Sequence, residues 1–261
     1  MLLQFSHLQG FSSLKHFVST RNGGVSKAPF DACNMSYAVA DNPAEVAQNR
    51  EIVCQKMGFV TQQLCVPQQT HSATIQVVTE VDKGKGAYDF VSGIPNTDGL
   101  VSNQKNITLM VFSADCVMSL FYDTKLQVIG AVHAGWRGTV QKITAKMLES
   151  MQQNFGTQAE NVLVGIAPAI RACCYEVGEE VAESVVQAFG TEEKYLLKNP
   201  ISQKYHFDLH YANQKQLIDV GILEKNITTM QICTQCESKT FFSSRAGKGI
   251  TGRFAAGICL V

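Results

Sequence analysis

The chain has 261 residues, 45% of them hydrophobic, which is enough to bury a substantial core. Its 22 lysines and arginines balance 22 aspartates and glutamates, so there is no electrostatic case for a nucleic acid or an anionic membrane as partner, and a small, locally recognised ligand fits better. No basic-plus-apolar leader opens the sequence, and no stretch approaches the roughly 20 apolar residues of a spanning helix, so a cytoplasmic location is expected. The nine cysteines, an odd number in a chain too long to need staples, read as reduced and mostly buried thiols.

In chain order, Asn42 can cap a helix that has Pro43 in its first turn, carries Val46, Val53 and Met57 on one face, and stops at Gly58. Short β-rich runs follow at Thr74–Val78, Ile107–Phe112, Val117–Tyr122 and Val128–Val132. Val140, Ile143, Met147, Leu148, Met151 and Phe155 then share the face of a second helix that ends before Gly156. A strand is expected at Val162–Ile166, a third helix from Gly178 to Phe189, and a fourth helix from an Asp208 cap through Leu217 to Gly221. A last strand is expected at Met230–Cys233.

The strands are continuously apolar, which implies cover on both faces. Three of them in a row between 107 and 132 break strict βαβ alternation. The expected class is therefore α+β, a mixed β-sheet covered by helices. With no repeat, low-complexity tract or linker, one domain over 1–261 is expected.

Chemistry concentrates in LMVFSADCVMSLFYDTKLQVIGAVHAGWRGTV. Ser113, Ala114, Asp115 and Cys116 interrupt two apolar runs and bring polar groups to a strand junction. Downstream, His133 ends a strand and Gly135-Trp136-Arg137-Gly138 leads into a helix, a turn whose amides and Arg137 suit an anion such as phosphate. Upstream, His71 lies in the polar loop Pro67-Gln68-Gln69-Thr70-His71-Ser72. Two imidazoles and a thiolate would hold zinc with a fourth position open, the pattern of a catalytic site; copper takes the same donors. By spacing alone these residues match no local zinc motif, and each has a plain structural reading.

THSATI, DGLVSN, SADC, HAGWRG, GIAPAI with YEVG, and FFSSRAGKGITGR together resemble the YfiH-like laccase-domain family, from the TRNGGVS segment almost to the C-terminus. Members of that family carry the names multicopper polyphenol oxidoreductase and purine nucleoside phosphorylase. The resemblance implies a single α/β fold related to cysteine-dependent toxin deamidases, with His71, Cys116 and His133 as the metal-binding active site. It also implies activity on adenosine, inosine and methylthioadenosine, with purine nucleosides and phosphate as the small-molecule partners. The closing segment departs from the paired-arginine form usual in the family.

On this reading the catalytic set is Cys116, His71, His133, Asp115 and Arg21, with Asp115 moving a proton to or from the base. Arg21, Arg137, Gly23, Gly24 and Gln69 are the expected phosphate and substrate contacts. Six histidines without a His-X-His pair argue against a multicopper cluster. The competing readings are a metal-free Cys-His amidase, a laccase-like oxidoreductase and a zinc-stabilised binding module.

Weaker signals have plainer explanations. Cys233-Thr-Gln-Cys236 reads as a structural thiol pair, His206 and His210 as part of a helix-capping region, and Trp136 as a packing anchor. Gly247, Gly249 and Gly252 match GxGxxG too close to the C-terminus for a dinucleotide-binding unit.

Overall fold

The computed structural model describes residues 2–190 and 194–261, so the expected domain over 1–261 includes residue 1 and residues 191–193, which lie outside the described part. Its backbone is dominated by two stacked sheets. One has six strands in the order Ile227–Thr229, Val162–Ile166, Val117–Asp123, Val128–Ala134, Gly99–Ser102 and Ile75–Val77. The other has five, in the order Leu2–Leu3, Leu14–Ser19, Phe254–Leu260, Thr108–Ser113 and Leu64–Cys65. Both contain parallel and antiparallel pairs. A small third sheet joins Glu176–Val177, Tyr205–Phe207 and Leu196–Lys198.

Period-two alternation explains the layering. Leu109 and Val111 share one buried cluster with Ala256, Ile258, Met118, Leu120, Ile129 and Ala131, which fills the space between the sheets. Their neighbours Met110, Phe112, Ala255 and Cys259 pack outward against Val53 and Cys54 of helix α1, Pro43–Met57. On the far side, Val117, Phe121, Val128 and Val132 pack against Met147, Leu148 and Met151 of α3, Ile143–Phe155, which follows the short α2, Trp136–Val140. Helices α4, Glu179–Phe189, and α5, Leu209–Asp219, add to the same cluster.

The mixed α+β class and the strand cover on both faces are as expected. Where one sheet was expected between helices, there are two, with α1 on the outer face of the five-stranded sheet and α3, α4 and α5 on that of the six-stranded sheet. Thr108–Ser113 pairs with Phe254–Leu260, not with Val117–Asp123, so Ser113 to Cys116 carries the chain from one sheet to the other.

Asn42 caps α1 by accepting the Ala44 N–H at 3.0 Å, and Gly58 ends it at φ 69°, where glycine is favoured. The second expected helix breaks in two, because Lys142 takes a left-handed φ of 62° between α2 and α3. The strand expected at Met230–Cys233 lies instead at Ile227–Thr229. Its partner strand ends at Ile166, so ladder pairing stops there, and Cys233 keeps only an isolated bridge to Ala169. Among the described residues no helix is long and apolar enough to cross a membrane.

Candidate active site

Strand register brings the chemistry to one end of the six-stranded sheet. Ile75 pairs with Gly99, Gly99 with Val132, and Val117 with Ala134. One step beyond these pairs lie Asp98, His133 and Cys116, and the loop before Ile75 delivers His71.

Asp98 organises the cluster. It is fully buried, and one carboxylate oxygen accepts the Thr70 N–H at 3.1 Å, the Ser72 N–H at 2.7 Å and the Ser72 hydroxyl at 2.8 Å. Its other oxygen accepts the His71 N–H at 3.1 Å and lies 2.9 Å from His133 Nδ1. One side chain thus fixes the backbone of one histidine and the ring of the other. His71 sits at φ 60°, a conformation costly for a residue with a Cβ and here held by that carboxylate. Burial pushes Asp98 upward, but the His133 ring and Ser72 outweigh it and hold the carboxyl at about 2.

The donor atoms of His71, Cys116 and His133 lie within 4.8 Å of one another, grading from exposed His71 through half-buried Cys116 to buried His133. The two rings meet edge to face at 5.0 Å. Burial opposes charge on both Cys116 and His133, yet their mutual attraction wins, lowering the thiol pKa and raising that of the imidazole. A deprotonated sulfur is what a metal requires.

Gly135 gives an independent fit test. A Cβ there would stand 2.9 Å from the His71 ring and 3.1 Å from the Cys116 sulfur, so only glycine leaves the three donors their common space. Two imidazoles, a thiolate and a carboxylate behind one imidazole match a zinc site with an oriented ligand.

These donors line a cavity of about 710 Å³, a volume suited to a small organic ligand. Tyr37, Phe90, Phe112 and Tyr175 supply rings to its wall, and Arg50, Arg245, Lys248 and Arg253 supply cations. Arg50 is 1% exposed; its guanidinium donates to the carbonyls of Met35 and Ala87 and lies over Tyr37 at 4.3 Å. Burial holds its pKa down at about 10.

The remaining expected contacts divide. Gln69 lines the cavity, with its amide spent on both backbone groups of Phe112 at 2.8 and 2.9 Å. Asp115 also lines it, at φ 97°, and both its oxygens are engaged, by the Thr234 hydroxyl at 2.6 Å and the Arg245 N–H at 2.7 Å. Arg21 is not on the cavity wall: its guanidinium donates to the Asp31 carboxylate and to the carbonyls of Asp31 and Ser238, against the ring of Phe242. Gly23 borders a separate small pocket, and Gly24 is packed against Asn49 and the backbone of Ala32 and Cys33, where any Cβ would collide. Arg137 lies over the ring of Trp136 at 4.4 Å, outside the cavity wall.

Asp98, Arg50, Tyr175, Arg245, Lys248 and Arg253 were not singled out from the sequence. Asp98 opens the DGLVSN motif and could have been found there; Arg50 sits on a helix whose apolar face is sparse, so its burial left no periodic signal. His16, His206 and His210 are hydrogen-bonded elsewhere, to Phe5, Ala172 and Ala167. Among the described residues, the other convergence of metal donors is made of four cysteines.

The profile of the family described as multi-copper polyphenol oxidoreductase laccase matches residues 15–261. Purine nucleoside phosphorylase YlmD of Geobacillus stearothermophilus is 35% identical over 239 residues, 92% of this chain and 87% of that protein. Adenosine deaminase RL5, from an unknown prokaryotic organism, is 30% identical over 242 residues, 93% of this chain and 92% of its own length. The crystal structure of the Geobacillus stearothermophilus YlmD superposes with a TM-score of 0.93 at 32% identity, covering 99% of this chain and 98% of the other. Sequence and fold agree: the chain belongs to the laccase-domain, or YfiH, family.

Proposed function

We propose that the chain is a zinc-dependent purine nucleoside phosphorylase acting on adenosine, inosine and methylthioadenosine, with adenosine deaminase activity as well. The carrying observation is the convergence of His71, Cys116 and His133, braced by Asp98, on the wall of a cavity that also offers aromatic faces and cations. The names of the phosphorylase and deaminase relatives support the same reading.

The cavity's residues divide the work by chemistry. Tyr37, Phe90, Phe112 and Tyr175 give the flat apolar faces on which a purine can stack. Arg245, Lys248 and Arg253 give the charge to bind phosphate, a task that the engaged Arg21 and the outlying Arg137 are poorly placed to share. In phosphorolysis a phosphate oxygen bonds to the anomeric carbon as the carbon–nitrogen bond breaks. The bonding pair leaves with the purine, which takes up a proton, and the sugar 1-phosphate remains: ribose 1-phosphate from adenosine and inosine, 5-methylthioribose 1-phosphate from methylthioadenosine. Positive charge on the ribose at the transition state is stabilised by the bound phosphate dianion.

His71, Cys116 and His133 would hold the zinc, which when bound supplies a Lewis acid able to polarise an oxygen or ionise a water. Asp98 keeps His133 oriented and its outward nitrogen available. Asp115 acts as a positioning residue, because both its oxygens are already occupied by Thr234 and Arg245.

The test is a chromatographic assay for free base and the corresponding sugar 1-phosphate from each nucleoside, with and without phosphate. Phosphate-dependent product from zinc-loaded protein is expected; no product at micromolar protein overturns the reading. A second reading, a metal-free cysteine amidase, draws on the contact of Cys116 with two imidazoles. Activity that survives chelation and is abolished by alkylation of Cys116 would favour it.

A further inference from the structure

The sequence offers Cys233-Thr-Gln-Cys236 as an isolated pair, but the fold folds a second pair onto it. Cys173 and Cys174 lie in the turn before the strand Glu176–Val177. The four sulfurs all lie within 4.8 Å of one another. Cys236 Sγ is 3.8 Å from Cys173 Sγ and 3.4 Å from Cys174 Sγ. A disulfide needs about 2.05 Å, whereas sulfurs around zinc at about 2.3 Å stand roughly 3.8 Å apart at tetrahedral corners. The observed spacing is that of ligands, and all four cysteines are unpaired.

The backbone prepares this arrangement. The Ala169 N–H donates to the Ile232 carbonyl at 3.3 Å and the Thr234 N–H to the Ala169 carbonyl at 3.1 Å, tying the two cysteine-bearing segments together.

We propose that Cys173, Cys174, Cys233 and Cys236 bind one zinc ion in a closed tetrathiolate site, separate from His71, Cys116 and His133, that clamps one wall of the active-site cavity. Four sulfur ligands leave no open position, so the ion is structural. Its mechanical reach is short. Thr234, inside the CxxC turn, donates to Asp115 at 2.6 Å, next to Cys116 in the chain, and Tyr175, adjacent to Cys174, lines the cavity. The clamp, itself away from the substrate, therefore holds Asp115 and the substrate-facing Tyr175 in place in the wall.

Zinc-edge X-ray absorption and metal analysis on protein purified under reductant provide the test. H71A/H133A should retain one zinc with four sulfur neighbours at about 2.3 Å, and adding C173S/C236S should remove it. Should those variants fail to fold, the wild-type chain still decides: fully loaded, it should hold two zinc ions averaging about 2.5 sulfurs each, against one ion with one sulfur for a lone His-Cys-His site. Iron in place of zinc, or a metal-free chain whose intact mass reveals disulfides among these cysteines, overturns the proposal. Hydrogen exchange tests the clamp: C173S/C236S should exchange faster over 169–175 and 233–245, and unchanged exchange there overturns that role.

Discussion

Asp98 Oδ1 lies 2.9 Å from His133 Nδ1 while the same carboxylate accepts three successive backbone N–H groups, those of Thr70, His71 and Ser72. A single buried acid thereby sets both imidazoles, and the first prediction concerns it. Asp98→Asn cannot accept all these bonds with full charge, so His71 and His133 lose their fixed relation. Zinc affinity should fall about 10–100-fold, the range for lost outer partners of metal ligands, as read by competition with a chelator. Unchanged affinity would remove Asp98 from the site.

Gly135→Ala should be more severe at the site than in the fold. The new methyl meets the His71 ring at 2.9 Å and the Cys116 sulfur at 3.1 Å. The backbone there is extended, with φ −70° and ψ 179°, so alanine itself is not strained. We expect near-native circular dichroism, with turnover and the zinc held by His71, Cys116 and His133 largely lost while the ion proposed at the four cysteines is retained. Full metal content in the folded variant contradicts the tight packing described.

Acid should weaken the fold through His210. Burial lowers its pKa from 6.5 to about 4, and Nε2 donates to the Ala167 carbonyl while Nδ1 is buried without a partner. The unfolded chain takes up the proton first, so the stabilising contribution is fully present above 6.5 and is lost as pH falls toward 4. The loss amounts to about 3 kcal/mol, from roughly 1.4 kcal/mol per pH unit. Urea unfolding at several pH values should show this decline, and H210Q should flatten it. An equal slope in the variant would assign the acid sensitivity elsewhere.

The division of cations can be measured in the phosphorolysis assay. Lys248 faces the cavity, whereas Arg21 is held by Asp31 and the Ser238 carbonyl away from it. K248A should raise KM for phosphate about tenfold, equivalent to about 1.4 kcal/mol, with kcat less affected. R21A should leave that KM within about threefold while costing up to ~1 kcal/mol of stability from its half-exposed ion pair. A reversed pattern would return phosphate binding to Arg21.

Much of this was legible along the chain, because it rests on local chemistry. Asn42 and Gly58 bracket α1, Asp208 caps α5 through the Tyr211 N–H, and continuous apolar runs at 117–122 and 128–132 mark strands covered on both faces. HAGWRG and SADC mark His133 and Cys116, which the fold brings together with His71. What the sequence could not disclose is set by pairing between distant segments. The strand Phe254–Leu260 inserts between Leu14–Ser19 and Thr108–Ser113 and so splits one expected sheet into two. Burial of Arg50 and Asp98 follows from that packing, since neither polar residue carries a periodic signature. The approach of Cys173 and Cys174 to Cys233 and Cys236 likewise depends on Ile227–Thr229 lying parallel to Val164–Ile166, which aligns the two loops leaving those strands. Turn and cap preferences act over a few residues, so sequence alone fixes them; register between remote strands is a property of the whole folded chain.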